Sequence, residues 1–103
     1  KWHNNSDYGA ALSDFAAHHL DAIGHRTVVL ILGDARTNNT DPGLDALHAI
    51  NERARSVIFL NPEPVRQWSS GDSVAHLYAE IVDMHECRNL AQLRHFVARV
   101  LPV

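Results

Sequence analysis

An α/β fold, with a parallel sheet of about three strands layered between helices, is what this sequence predicts. Three observations predict it. Thr27-Val28-Val29-Leu30-Ile31-Leu32 is an unbroken apolar run that stops at Gly33-Asp34, as a strand reads when both faces are covered. Arg55-Ser56-Val57-Ile58-Phe59-Leu60 is a second such run, halted by Asn61-Pro62. Around them lie stretches with apolar residues every three or four positions, the spacing of amphipathic helices. Alternating strands and helices predict right-handed crossovers and parallel pairing. Leu12, Phe15, Leu30, Ile31, Leu47, Val57, Ile58, Phe59 and Val97 are the expected core.

Taken in order, residues 1–6 read as a polar loop. A helix is expected over 7–23, where Leu12, Phe15, Ala16, His19, Leu20 and Ile23 form one stripe. Ser6 or Asp7 can cap its start and Gly24 can stop it. Gly9 in its first turn costs about 1 kcal/mol against alanine, which a close backbone approach would explain. Asp41-Pro42 reads as an N-cap followed by proline at the first helical position. Leu44, Leu47, Ile50 and Ala54 give that second helix its buried side. Residues 63–73 form a long surface loop, after which Ser73 can cap a short helix at 74–79. Ile81-Val82-Asp83-Met84 is a weaker strand. Asn89 and Gln92 resemble a capping box, and Leu90, Leu93, Val97 and Val100 are expected to face a core from the last helix.

The chain's 103 residues suffice for one domain with a real core. An apolar fraction of 46% is that of a globular protein. The net charge is −3, and the single lysine is Lys1, so the concentrated positive charge of a nucleic-acid surface is lacking. No apolar run reaches membrane-spanning length. The lone Cys87 cannot form an internal disulfide, which favours a reduced, cytoplasmic protein.

In a parallel sheet every strand ends on one edge, where ligands bind. That edge should gather Ser6 and Asp7, then Asp34 and Arg36, then Asn61 and Glu63, with His85 and Glu86 beyond. A hydroxyl and a carboxylate there are hard oxygen ligands suited to Mg²⁺ or Mn²⁺. They serve equally well as caps, Ser6 of a helix and Asp34 of a turn. Arg36, Asn38 and Asn39 are candidate partner contacts, or simply an ordinary polar loop. The eight histidines show no close zinc-ligand spacing.

The order of segments adds a resemblance. Ser6-Asp7-Tyr8-Gly9-Ala10-Ala11-Leu12 resembles the Thr-Asn/Asp-x-Gly-x-x-Leu signature of von Willebrand factor type A (VWA) domains. Leu32-Gly33-Asp34 resembles their Ser/Thr-Asp-Gly segment. Val28–Asp34, Asp41-Pro42, Arg53-Ala54-Arg55, Leu60-Asn61-Pro62 and Asn89-Leu90-x-x-Leu93 are similar to the CoxE-like VWA family, across nearly the whole chain.

The resemblance implies a three-layer Rossmann-like fold and a metal-ion-dependent adhesion site (MIDAS), in which Mg²⁺ or Mn²⁺ bridges to an acidic group on a protein partner. Ser6 would match the second-loop ligand and Asp34 the third-loop ligand. The partner it implies is a MoxR-type AAA+ ATPase, in metalloenzyme maturation. The family's first loop, Asp-x-Ser-x-Ser, has no match in residues 1–5, and Ala35 stands where glycine usually follows the aspartate. Residues 1–103 are therefore expected to form a single partial VWA-like domain lacking the first strands and first metal loop. Its sheet would need an N-terminal half or another chain for completion.

The function expected is a non-catalytic interaction module. A rival is a Mg²⁺-dependent hydrolase or phosphotransferase using Asp34, with Glu63 and Glu86 as acid and base. No glycine-rich phosphate loop or nucleophile elbow supports it. A third expectation is a structural half-domain with a nonfunctional site.

Overall fold

The computed structural model describes residues 7–100. The loop expected at residues 1–6, Ser6 included, and the side chain of Val100 lie outside what is described. Among the described residues three strands form the sheet: β1 (Val28–Leu32), β2 (Ser56–Asn61) and β3 (Asp83–Glu86). Both pairings are parallel and the order is β1-β2-β3. The register sets Leu30 beside Ile58, Ile31 beside Phe59 and Asn61 beside Glu86. Among the described residues the α-helices are α1 (Tyr8–His18), α2 (Leu44–Arg53), α3 (Ala75–Tyr78) and α4 (Leu90–Val100).

Strand alternation divides the core in two. Val57 and Phe59 pack with Leu12, Leu47, Ile50 and Tyr78, so α1, α2 and α3 cover one face. Ile58 and Leu60 point the other way, where Leu60 shares a cavity with Leu90 and Leu93 of α4. The helix–sheet–helix layering follows from that division.

The expected helix at 7–23 is shorter than predicted. Asp7 caps it, its Oδ1 accepting from the Ala10 amide at 3.0 Å. It ends when His19 leaves helical geometry (φ −127°), and Leu20–Ala22 continue as a 3-10 turn. The second helix also starts late, at Leu44, with Gly43 as its N-cap in the left-handed conformation (φ 70°). Asp41 serves the preceding turn, its Oδ1 accepting from the Gly43 amide at 2.8 Å.

The late start follows from Gly43, whose left-handed backbone (φ 70°) interrupts helical geometry just before Leu44. α1 crosses the beginning of α2 backbone against backbone, and a Cβ on Gly9 would collide with the Asp41 carbonyl oxygen. A Cβ on Gly43 would lie 2.8 Å from the Gly9 Cα. The glycine that weakens α1 is thus what lets α2 dock.

Two further expectations are corrected. The third strand lies two residues later than predicted, because Ile81 and Val82 both donate to the Tyr78 carbonyl at 2.9 Å and complete a turn after α3. Their apolar side chains serve the core from a turn, with Val82 buried. Leu30 is 41% exposed and not core. Among the described residues β1 pairs only with β2, so nothing lies beyond Leu30. Phe15, Ile31 and Val97 are half-buried, and Leu90, expected on the core side of the last helix, is 66% exposed at its first turn.

Ser73, expected to cap a helix at 74–79, lies one residue before the N-cap Val74 of the shorter α3. Its Oγ accepts from the Ala75 amide at 3.3 Å and donates to the Trp68 carbonyl at 2.7 Å. The capping box is formed with a shifted second arm. Gln92 N donates to Asn89 Oδ1 at 2.9 Å, and Gln92 Oε1 accepts from the Arg88 amide.

Candidate functional site

The C-terminal edge of the sheet is built from three loops that follow β1, β2 and η, the 3-10 turn Val65–Gln67. Asp34 begins the first loop, directly after Gly33. Its Oδ1 accepts from the Tyr8 hydroxyl at 3.2 Å and from the Arg36 amide at 2.9 Å. The Asp34 amide donates back to the Tyr8 oxygen at 3.0 Å. Asn61, fully buried at the end of β2, donates from Nδ2 to the Asp34 carbonyl at 3.2 Å. Its Oδ1 accepts from the Glu63 amide at 2.8 Å. One buried amide side chain thereby holds two loops in fixed relation.

Ala35 sits between the two anchors with φ 61° and no exposed surface. An L-residue with a Cβ resists that left-handed conformation. Its carbonyl accepts from the Val74 amide at 2.9 Å, and Arg36 bridges to Ser73. Tertiary contacts therefore impose the turn on a residue that would not choose it.

Arg36 is the centre of the loop cluster. Its Nε and Nη2 donate to Glu63 Oε2 and Oε1 at 2.8 and 2.9 Å, a two-point fork. Nη1 donates to Asp72 Oδ1 at 3.1 Å and to the Ser70 carbonyl at 2.9 Å. Asp72 Oδ2 also accepts from the Asn38 amide at 2.7 Å. Arg36 and the Asn38 amide hold the Asp72 carboxyl below its ordinary 3.8. The same carboxylates keep the guanidinium charged well beyond its usual range.

The predicted site residues separate on this geometry. Asp34 lies at the strand edge, as expected, and Ser6 falls outside the described residues. Arg36 turns inward onto Glu63, Ser70 and Asp72, so its guanidinium serves the protein's own loops. Asn38 and Asn39 occupy left-handed positions, φ 55° and 61°, with exposed side chains. Glu63 and Glu86 are spent on different arginines, Glu63 on Arg36 and Glu86 on Arg88 at 2.9 Å.

Two participants escaped the sequence. Asp72, within a serine- and glycine-rich loop, comes back to a residue 36 positions earlier. Tyr8, one residue into α1, reaches Asp34 across 26 positions. Nothing local marks either one, since both pairings are made by the fold.

Residues 1–96 match the family model described as "VWA domain containing CoxE-like protein". The chain belongs to that family. Comparisons with curated proteins and with solved structures gave no match.

For this VWA domain the edge geometry can be weighed against a hard cation. Among the described residues no group of three or more His, Cys, Asp or Glu side chains could hold a metal ion. The Asp34 carboxylate has the right chemistry, because Mg²⁺ takes one or two carboxylates and keeps waters. Both hydrogen bonds to that carboxylate fall on Oδ1. The Asp34 carboxylate is thus a donor of the type such an ion takes. No helix among them is long and apolar enough to cross a membrane.

Proposed function

We propose that this domain is a protein-interaction module of the MIDAS type, serving as a cytoplasmic accessory to a MoxR-type AAA+ ATPase in metalloenzyme maturation. Membership of the CoxE-like VWA family supports an interaction role. The observation that carries the finer reading is Asp34, held at the C-terminal edge of the sheet with both hydrogen bonds on one oxygen. In this reading Asp34 and Ser6 are the chain's own ligands to Mg²⁺ or Mn²⁺. Bound there, such an ion supplies a coordination position for an acidic side chain of the partner. Asn38 and Asn39, exposed beside Asp34, supply polar contacts around it.

The same reading takes the outer edge of β1 as the place where a further strand joins the sheet, from elsewhere in the same polypeptide or from another chain. Each unpaired strand edge offers a row of backbone donors and acceptors for such pairing.

Binding to a MoxR-type ATPase, followed by biolayer interferometry, tests the proposal. Association should require Mg²⁺ or Mn²⁺, vanish with EDTA, and be lost in Asp34→Ala. Association indifferent to both chelation and Asp34→Ala would overturn it. Turnover of a phosphate ester, abolished by Asp34→Ala, would favour the hydrolase instead.

A further inference from the structure

We propose that Tyr8 is the positioning residue for Asp34: its hydroxyl pins carboxylate Oδ1 to the protein so that Oδ2 is left to a ligand. The hydroxyl does two things at once. It donates to Asp34 Oδ1 at 3.2 Å and accepts from the Asp34 amide at 3.0 Å. With the Arg36 amide also donating to Oδ1 at 2.9 Å, the carboxylate is held from two directions on one oxygen. A carboxylate so held has one rotamer, and no ordering cost remains to be met when a ligand arrives.

The tyrosine is itself fixed. Its ring packs at centroid distances of 6.1 Å from Phe59 and 6.4 Å from Tyr78, within the range of favourable aromatic pairs. The strand leaves space for its hydroxyl, because a Cβ on Gly33 would collide with the Tyr8 oxygen. Glycine at that position is thus required by the tyrosine. Burial, and then the Asp34 charge, push the Tyr8 phenol above its ordinary 10.0. The contact also links α1 to the end of β1, so a shift of the helix is felt at Asp34.

The nature of the ligand rests on the cation proposed above, whereas the positioning role does not, and the test keeps the two apart. In the full chain, Tyr8→Phe keeps the ring and removes only the hydroxyl. Amide hydrogen exchange at Asp34 should accelerate at least about tenfold as its acceptor is lost. The informative amide is that of Arg36, which donates to Asp34 Oδ1 and not to Tyr8. It should accelerate as well, while Val57 to Leu60 stay unchanged. Acceleration at Asp34 alone would overturn the proposal, because the carboxylate would be keeping its place unaided.

Mn²⁺ titration, followed by broadening of the Asp34 and Arg36 amide resonances, reads the ligand. Tyr8→Phe should need about tenfold more Mn²⁺ for half-broadening, the lower end of what loss of a ligand's supporting hydrogen bond costs. Equal broadening in both proteins would overturn presentation of Oδ2. No broadening in the wild type would remove the cation, with the Arg36 amide still deciding the role of Tyr8.

Discussion

β1 and β2 lie side by side in register, with comparably apolar sequences, yet they meet very different surroundings. From Val57 to Asn61 every residue of β2 is buried. In β1 none is: Leu30 is 41% and Leu32 65% exposed, and the others are half-buried. β2 has a strand on either side and helices on both faces, whereas β1 has a neighbour on one side only among the described residues. Groove-lining residues of α1, among them Leu12 and Phe15, join Val29 to Leu32 around an open apolar cavity of about 380 Å³. The comparison teaches that an apolar run specifies a strand able to be buried, and that its neighbours decide whether it is.

The largest effect should come from the covered strand. Phe59→Ala removes a fully buried ring in contact with Tyr8 and Tyr78. It should cost about 3–5 kcal/mol in urea denaturation. A cost below 2 kcal/mol would mean that this core repacks around the gap.

Next is the paired test across the ladder, where Leu30 and Ile58 are register partners. Ile58→Ala should cost about 2–5 kcal/mol, and Leu30→Ala only about 1–2 kcal/mol, because Leu30 keeps much of its surface in water. Equal costs would break the comparison, and would show that something covers β1 in solution.

The third prediction concerns pH and the covered half alone. Burial raises the Tyr78 phenol, and burial with the Asp34 charge raises that of Tyr8, both from an ordinary 10.0. The unfolded chain then loses these protons first. Stability should be fully present below pH 10 and fall as pH rises from there through the folded-state values. Tyr78→Phe should flatten that alkaline fall while costing about 1 kcal/mol at neutral pH, through the lost bond to the Pro42 carbonyl. An alkaline limb identical to the wild type's would exclude Tyr78 as its source.

The smallest effect belongs to the open strand. Leu32→Lys should leave the denaturation midpoint within roughly 0.5 kcal/mol of wild type. The lysine should also lessen any edge-to-edge self-association seen by analytical ultracentrifugation. A loss of several kcal/mol would place Leu32 in a buried contact.

Much of this protein was legible in the sequence because it depends on short-range patterns. The two strong strands, the helix-face leucines, the Asp7 cap, the Asn89–Gln92 cap and the place of Asp34 after Gly33 all follow from local spacing and local hydrogen bonds. The family resemblance, carried by short motifs in order, was legible for the same reason.

The tertiary structure alone decided what needs two distant segments to meet. Gly43 takes a left-handed φ of 70° where the backbones of α1 and α2 meet at Gly9, so α2 starts at Leu44 and not at Asp41. Tyr78 captured Ile81 and Val82 into a turn and moved β3 toward the C-terminus. Arg36 reads as an outward contact from its loop, and it turned inward because Glu63 and Asp72 come from other loops. Leu30 is indistinguishable from Ile58 by composition, and the number of neighbouring strands separates them. Tyr8 finds Asp34 only once α1 lies across the sheet, because a hydroxyl and a carboxylate 26 positions apart have no local reason to be paired.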